Sequence, residues 1–326
     1  MPAPSRRVLL VAPLLLPSVA RAQAWRPGGQ VRIIVPAAPG GTTDIMGRLL
    51  AQHFQARWGT PVVVENRAGG GGTIGTLEMV RSRPDGTTLM LGNIGPQAIA
   101  YSLFRNLPYR AEQILPIAGT IRGPNVLVVN NDVPARSVAE LAALLRARPG
   151  QIPYASTGVG QSTHLSPVLM LQQLNAQAIH VPTRGSGPAQ VELLAGNVAF
   201  LIDNLTGIMG QIQGGRVRAL AVTSAQRHAL LPDVPAMRET MPELANYDVN
   251  TWFALFAPAG LAPDIVASLN AEVNALLDLP ETGRRFTELG GVPMRMSPPE
   301  LAEFIRAETA KWGEVIRREG LQMDAG

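Results

Sequence analysis

The strongest constraint on the fold is an order that recurs along the chain: a short β-branched run, a glycine-bearing turn, then a helix with its own start signal. Val31-Arg32-Ile33-Ile34-Val35 opens it, and Pro36 with the turn Pro39-Gly40-Gly41 closes that strand. Thr42, Thr43 and Asp44 then supply N-cap and first-turn chemistry. Ile45, Met46, Leu49, Leu50 and Phe54 follow at helical spacing as far as Gly59. Further strands are expected at 61–65 and 87–91, around a helix at 73–83. The order restarts at 126–129. Ser137 caps a helix over 138–148, and Tyr154-Ala155 leads into Ser156-Thr157-Gly158-Val159-Gly160 and a helix at 162–174. Strands at 179–181, 198–202, 217–223 and 252–256 and helices at 188–194, 263–277 and 298–318 complete the pattern. Such alternation predicts α/β architecture. It falls into two units with crossovers near 122–127 and 248–254. Residues 25–124 and 250–326 form the expected first lobe and 125–249 the second. Two crossings make a hinge.

The chain has 326 residues, of which 46% are hydrophobic and 16% charged, so it can bury a sizeable core. Its pI of 10.1 would suit a nucleic-acid partner. Yet three of its 28 basic residues, Arg6, Arg7 and Arg21, lie in the first 24 residues, which hold no acid. Without them 25 basic residues face 24 acidic ones, and no block of like charge remains. No nucleic-acid partner is expected. The absence of cysteine excludes disulfides and thiolate chemistry. His53, His164, His180 and His228 show no metal-ligand spacing, so no metal or cofactor is expected. No G-x-S-x-G elbow or phosphate-binding P-loop occurs, and no catalytic residue is assigned. Gly70, Gly72 and Gly75 match G-x-G-x-x-G only formally. They lie far from the preceding strand, and Asn93 rather than an acid ends the next one.

Residues 1–24 have the build of a secretory signal. Arg6-Arg7 form a positive start, 8–19 an apolar run, and Ala22-Gln23-Ala24 an A-x-A cleavage site. Cleavage after Ala24 would leave Trp25 first. The run is too short for a membrane span, which needs about 20 apolar residues. The arginine pair fits either a Sec or a twin-arginine signal. An exported, soluble, periplasmic protein is expected.

Two loops carry the candidate chemistry. Open α/β sheets bind ligands at the carboxyl ends of their strands. In the loop 36–44, glycines let the backbone approach a ligand and a helix begins. A carboxylate there would meet unpaired amides and gain a dipole contribution of about 0.3–1 kcal/mol, up to about 2 when partly buried. The same residues would also serve simply to end a strand and cap a helix. The loop 156–163 repeats the design, with Ser156, Thr157, Ser162 and Thr163 around Gly158 and Gly160. His164 is expected to be packed or solvated rather than catalytic. Asp203 ends a strand without a visible base or nucleophile beside it.

The chain resembles the substrate-binding receptors of tripartite tricarboxylate transporters, the Bug-type periplasmic receptors. The resemblance rests on Val35-Pro36-Ala37-Ala38-Pro39-Gly40-Gly41-Thr42-Thr43-Asp44, Val64-Glu65-Asn66-Arg67-Ala68-Gly69 and Pro84-Asp85-Gly86-Thr87-Thr88-Leu89. It continues through Tyr154-Ala155-Ser156-Thr157-Gly158, His180-Val181-Pro182, Leu220-Ala221-Val222-Thr223, Leu231-Pro232-Asp233-Val234-Pro235, and Trp252 with Ala257-Pro258-Ala259-Gly260. It implies a two-lobed Venus-flytrap fold of the periplasmic-binding-protein type II class. The implied function is to capture a small carboxylate and deliver it to membrane transporter subunits, with the receptor acting as a monomer and not as an enzyme. A sensor without its own transporter, or a hydrolase using Ser156 or Ser162, are the alternatives. The implied ligand contacts are Ala38, Gly40, Gly41, Thr42, Thr43 and Asp44 on one lobe. On the other they are Ser156, Thr157, Gly158 and Ser162, with Asp203 near a water network. The sequence departs from the family at Ala37, where an aromatic is usual, and at Thr183-Arg184-Gly185, where Tyr-Lys-Gly is usual. Arg184 keeps the positive charge and offers either a planar fork suited to a carboxylate or simply a solvated loop arginine.

Overall fold

A computed structural model describes residues 25–318 and 320–324. The export-signal assignment, residues 1–24, lies outside the described residues. Among the described residues, no helix is long and apolar enough to cross a membrane.

The first unit runs β1 (Val31–Val35), α1 (Thr42–Trp58), β2 (Val62–Asn66), α2 (Thr73–Val80) and β3 (Thr88–Asn93), followed by a π-turn at Gly95–Ile99 and α3 (Ala100–Leu103). A long strand, β4 (Ile114–Asn130), leaves it. The second unit contains α4 (Val138–Ala147), β5 (Pro153–Ser156), α5 (Ser162–Gln173), β6 (Ile179–Pro182), α6 (Ser186–Leu194), β7 (Phe200–Asn204), α7 (Leu205–Gln213), β8 (Val217–Val222) and α8 (Met237–Thr240). Strand β9 (Asn250–Pro258) returns. Helices α9 (Pro263–Leu277) and α10 (Pro280–Glu288), the short β10 (Val292–Pro293) and α11 (Pro298–Arg318) finish the chain.

The sheet order is β2-β1-β3-β9-β4-β7-β5-β6, with β8 and β10 also on β4. β1 is parallel to β2 and β3, and β5 is parallel to β6 and β7. β4 joins the two parallel groups. From Ile114 to Pro124 it pairs with β9, and from Asn125 onward with β7 and β8. The molecule is thus a two-lobed α/β structure joined by long strands. The periodicity locates 126–129 but not the first half of β4. That half carries Pro116, Gly119, Gly123 and Pro124, residues that ordinarily interrupt a strand. Register shifts between Pro116 and Ala118 and between Gly119 and Ile121 accommodate the first two as bulges, while Gly123 and Pro124 pair in register with Thr251 and Asn250.

Each lobe has its own apolar cluster. One holds Val31, Ile33, Phe54, Leu89 and Leu255, the other Val126, Leu193, Leu201 and Val222. A third spans the crossing and includes Leu127, Phe200, Trp252 and Phe256. At the chain's described start, Trp25 packs edge-on against Trp58 at 6.0 Å, and Trp58 stacks on Phe54 at 4.4 Å. Helix α4 begins where its cap predicts, with Ser137 Oγ accepting from Glu140 N at 3.1 Å.

Candidate functional site

The parallel strands of both lobes deliver their carboxyl ends to one interface. From the first lobe come the loops after β1 and β2, and from the second the loops after β5 and β6 and the end of β7. Ala38 N donates to Arg184 O at 2.8 Å, and Gln161 Nε2 donates to Gly71 O at 2.6 Å. Two main-chain segments of the first lobe therefore touch two loops of the second.

The first contact is made by two helix starts. Gly40 lies at φ +92°, in the left-handed region that glycine favours, and turns the chain into α1. The first bond of α1 runs from Ile45 N to Gly41 O at 3.0 Å. The amides of Thr42, Thr43 and Asp44 precede it and have no acceptor within the helix. A β-carbon on Gly41 would stand 2.9 Å from Ser186 Cβ, at the start of α6. One on Gly207 would stand 3.2 Å from Thr42 Oγ1 and 3.4 Å from Ser186 Oγ. The hydroxyls of Thr42 and Ser186 thus converge from opposite lobes. Thr42 is 1% exposed, and its Oγ1 has no hydrogen-bond partner among the described residues. A buried hydroxyl left unpaired costs about 1–3 kcal/mol.

Asp44 is placed in the first turn of α1, but its carboxylate serves the loop. It accepts from Gly40 N at 3.0 Å, from Asn66 Nδ2 at 3.0 Å and from Arg48 Nε at 3.1 Å. Burial opposes its ionisation, but the bonds from Arg48, Gly40 and Asn66 outweigh that and hold its pKa below the ordinary value. Gly40 N is therefore already engaged. Ala38 contributes its amide to the lobe contact, and Ala37 O accepts from Asn66.

In the second lobe the hydroxyls of Ser156, Thr157 and Thr163 are partnered internally. Ser156 Oγ lies 2.7 Å from His180 Nε2, and Thr157 Oγ1 lies 2.7 Å from Thr163 Oγ1. Gly158 N donates to Ser156 Oγ at 3.3 Å, and Gly160 N to His164 Nδ1 at 3.3 Å. Ser162 opens α5 and is buried. His164 is packed: it stacks on His180 at 4.3 Å, and His180 stacks on Tyr154 at 5.0 Å. Burial, with repulsion from His180, pushes the His164 pKa down to about 3, and burial pushes His180 down to about 4. Ser156 and His180 form a hydroxyl–imidazole pair, but a base this weak suits scaffolding better than nucleophile activation.

Asp203 has no solvent exposure. Gln190 Nε2 donates to it at 3.0 Å, Asn204 N at 2.8 Å, and Ser186 Oγ also donates. Burial outweighs these bonds and raises its pKa. Arg184 presents its carbonyl to Ala38, while its side chain is exposed. Thr183 Oγ1 turns inward to Ser156 O and Gly185 O, both at 2.9 Å.

Four residues at this interface are absent from the sequence-based candidates: Gly71, Gln161, Ser186 and Gln190. Gly71, at φ +61°, passes so near Val159 that a β-carbon would lie 1.9 Å from its carbonyl oxygen. Gly71, an intervening position of the formal Gly70, Gly72 and Gly75 match, therefore serves close approach between the lobes. Ser186 and Gln190 escape notice because Pro188 suggests a helix start there, whereas α6 begins at Ser186. The run Thr183-Arg184-Gly185-Ser186, a third strand–glycine–hydroxyl junction, is the available signal. A cavity of about 890 Å³ between α3 and α11 lies elsewhere, and none of the candidate residues lines it.

The model of the tripartite tricarboxylate transporter family receptor matches residues 46–321. Protein BugT of Bordetella pertussis is 37% identical over 300 residues, covering 91% of each chain. A protein of R. palustris solved with adipate is 32% identical with a TM-score of 0.87, over 91% of this chain and 99% of that one. MatC from Rhodopseudomonas palustris with bound malate is also 32% identical, with a TM-score of 0.84, over 89% and 99%. The shared architecture is that of periplasmic binding proteins. With its two lobes meeting over paired helix starts, the chain is a solute-binding receptor and belongs to the tripartite tricarboxylate transporter receptor family.

Proposed function

We propose that this receptor closes its lobes around a small carboxylate and presents it, as a monomer and without chemical change, to membrane subunits of a tripartite tricarboxylate-type transporter. The observation that carries the reading is Thr42 Oγ1, buried and unpartnered beside the unbonded amides of α1 and opposite Ser186. Such a cluster of donors suits an anion. Relatives solved with adipate and malate support a carboxylate as that anion. The main-chain amides from 41 to 44 and the Thr42 hydroxyl would hold it from the first lobe. Ser186, backed by Asp203, and the loop 156–162 would close from the second.

The lobe boundaries near 124–125 and 249–250 belong to the same reading, supported by the change of partners along β4. So does processing after Ala24. Trp25 is anchored by Trp58 and by Ser268 Oγ, which donates to its carbonyl at 3.0 Å, so the processed end would already be packed.

The test is a thermal-shift screen of mono-, di- and tricarboxylates on the mature protein. A true ligand at a hundredfold excess over Kd should add about 2.7 kcal/mol of stability. Gly41→Val should abolish that shift while the protein stays folded. The recovered ligand should be chemically intact. If no carboxylate moves the melting point, the reading fails.

A further inference from the structure

A second cavity, of about 440 Å³, lies at the crossing itself. Strand β4 contributes Arg122 to it and β9 contributes Trp252. The loop after β8 contributes Arg227 and His228, and α11 contributes Glu308 and Lys311. Its walls therefore come from both lobes. None of the residues named above at the cleft lines it.

The charge in this cavity is one-sided. Arg122, Arg227 and Lys311 face a single acid, Glu308. Lys311 is the only lysine in the chain. Among the described residues, neither Lys311 nor Arg122 has an ion-pair partner. Arg227 is held by Glu239 at 2.7 Å, so it offers the cavity less free charge than Arg122 and Lys311 do. Glu308 accepts from Trp252 Nε1 at 3.2 Å, so the acid is tied to β9. Cations gathered in a concave space focus potential there. Guanidinium and ammonium groups together suit a compact oxyanion. The volume lies within the range of about 300–1,000 Å³ usual for small-molecule sites.

The walls also connect this cavity to the cleft. Rotation of one lobe against the other must change the separation between Arg122 and Lys311 on one side and Arg227 on the other. An anion that bridges them binds one lobe angle more tightly and shifts the population toward it. The cleft contacts from Ala38 to Arg184 and from Gln161 to Gly71 exist at this same angle. We propose that the crossing cavity is a second anion site, for a small multivalent oxyanion, whose occupancy holds the lobes at the angle that closes the cleft. The proposal does not depend on which solute the cleft takes.

Inorganic phosphate titrated calorimetrically into the mature protein, at constant ionic strength, tests it. One saturable site is expected. The variant carrying Arg122→Gln and Lys311→Gln should bind phosphate at least about tenfold more weakly. Both side chains are exposed, so the fold should survive, as far-UV circular dichroism would show. The charge-keeping pair Arg122→Lys and Lys311→Arg should restore most of the affinity. Thr42→Val should leave phosphate binding unchanged. Small-angle scattering should show the population moving toward the compact form on saturation. Absence of saturable binding would overturn the proposal. So would equal affinity in the double variant, or loss of binding in Thr42→Val, which would place phosphate in the cleft. An unchanged scattering profile at saturation would overturn the coupling.

Discussion

The loops after β1 and β5 are built from the same residue types yet end in opposite states. In the second lobe, Ser156 is bonded to His180 and Thr157 to Thr163, and the His164–His180–Tyr154 stack backs them. In the first lobe, Thr42 is as buried as Ser156 but its hydroxyl has no partner among the described residues. The second loop holds its own shape; the first keeps donor capacity open. A strand–glycine–hydroxyl–helix junction therefore identifies a place, and hydrogen-bond satisfaction identifies its task.

Gly71→Ala should have the largest effect, on the contact between the loops after β2 and β5. It puts a β-carbon against Val159 O across the lobe contact. The lobes should fold but fail to close, and calorimetry should show solute affinity falling at least about a hundredfold.

The pH dependence should come mainly from the second loop. His164 and His180 have pKa values pushed down to about 3 and about 4, below the ordinary histidine value. The unfolded chain thus binds more protons than the folded one in this window. The stability these groups contribute is fully present above pH about 6.5 and is lost as pH falls toward 4 and below. Urea melts at several pH values should show this slope, and it should be flatter in His180→Phe. An equal slope in that variant would remove the stack from the account.

A paired substitution separates shape from binding. Ser156→Ala should cost about 1–2 kcal/mol of stability in urea melts, because His180 loses its partner. Thr42→Val should leave stability equal or higher and weaken solute binding about tenfold, the equivalent of about 1.4 kcal/mol. If both variants lose only stability, the two loops do the same job.

Arg184→Ala should have the smallest effect. Its carbonyl, not its exposed guanidinium, meets Ala38. The change should stay within about 0.5 kcal/mol of wild-type stability and affinity. A large loss of affinity would return the side chain to the clamp.

Local sequence specifies the α/β class, the position where α1 starts, the Ser137-capped start of α4 and the two glycine–hydroxyl loops, although α1 begins on Gly41 with no side-chain cap rather than on a threonine or aspartate cap. These depend on local chemistry: β-branched runs, glycine at turns, and serine or threonine before apolar helical spacing. It also supplies the family resemblance, through motifs spread over most of the chain. That β4 is one continuous strand emerges only from its pairing with β9, where bulges absorb Pro116 and Gly119. Only the tertiary structure brings α6 against α1, with Ser186 facing Gly41 and Gly71 beneath Val159. Asp203 shows the same division. Its place at a strand end is legible, but its burial and its bonds to Ser186 and Gln190 depend on three elements meeting. Contacts between segments distant in sequence follow from how the lobes pack, and no local pattern records that.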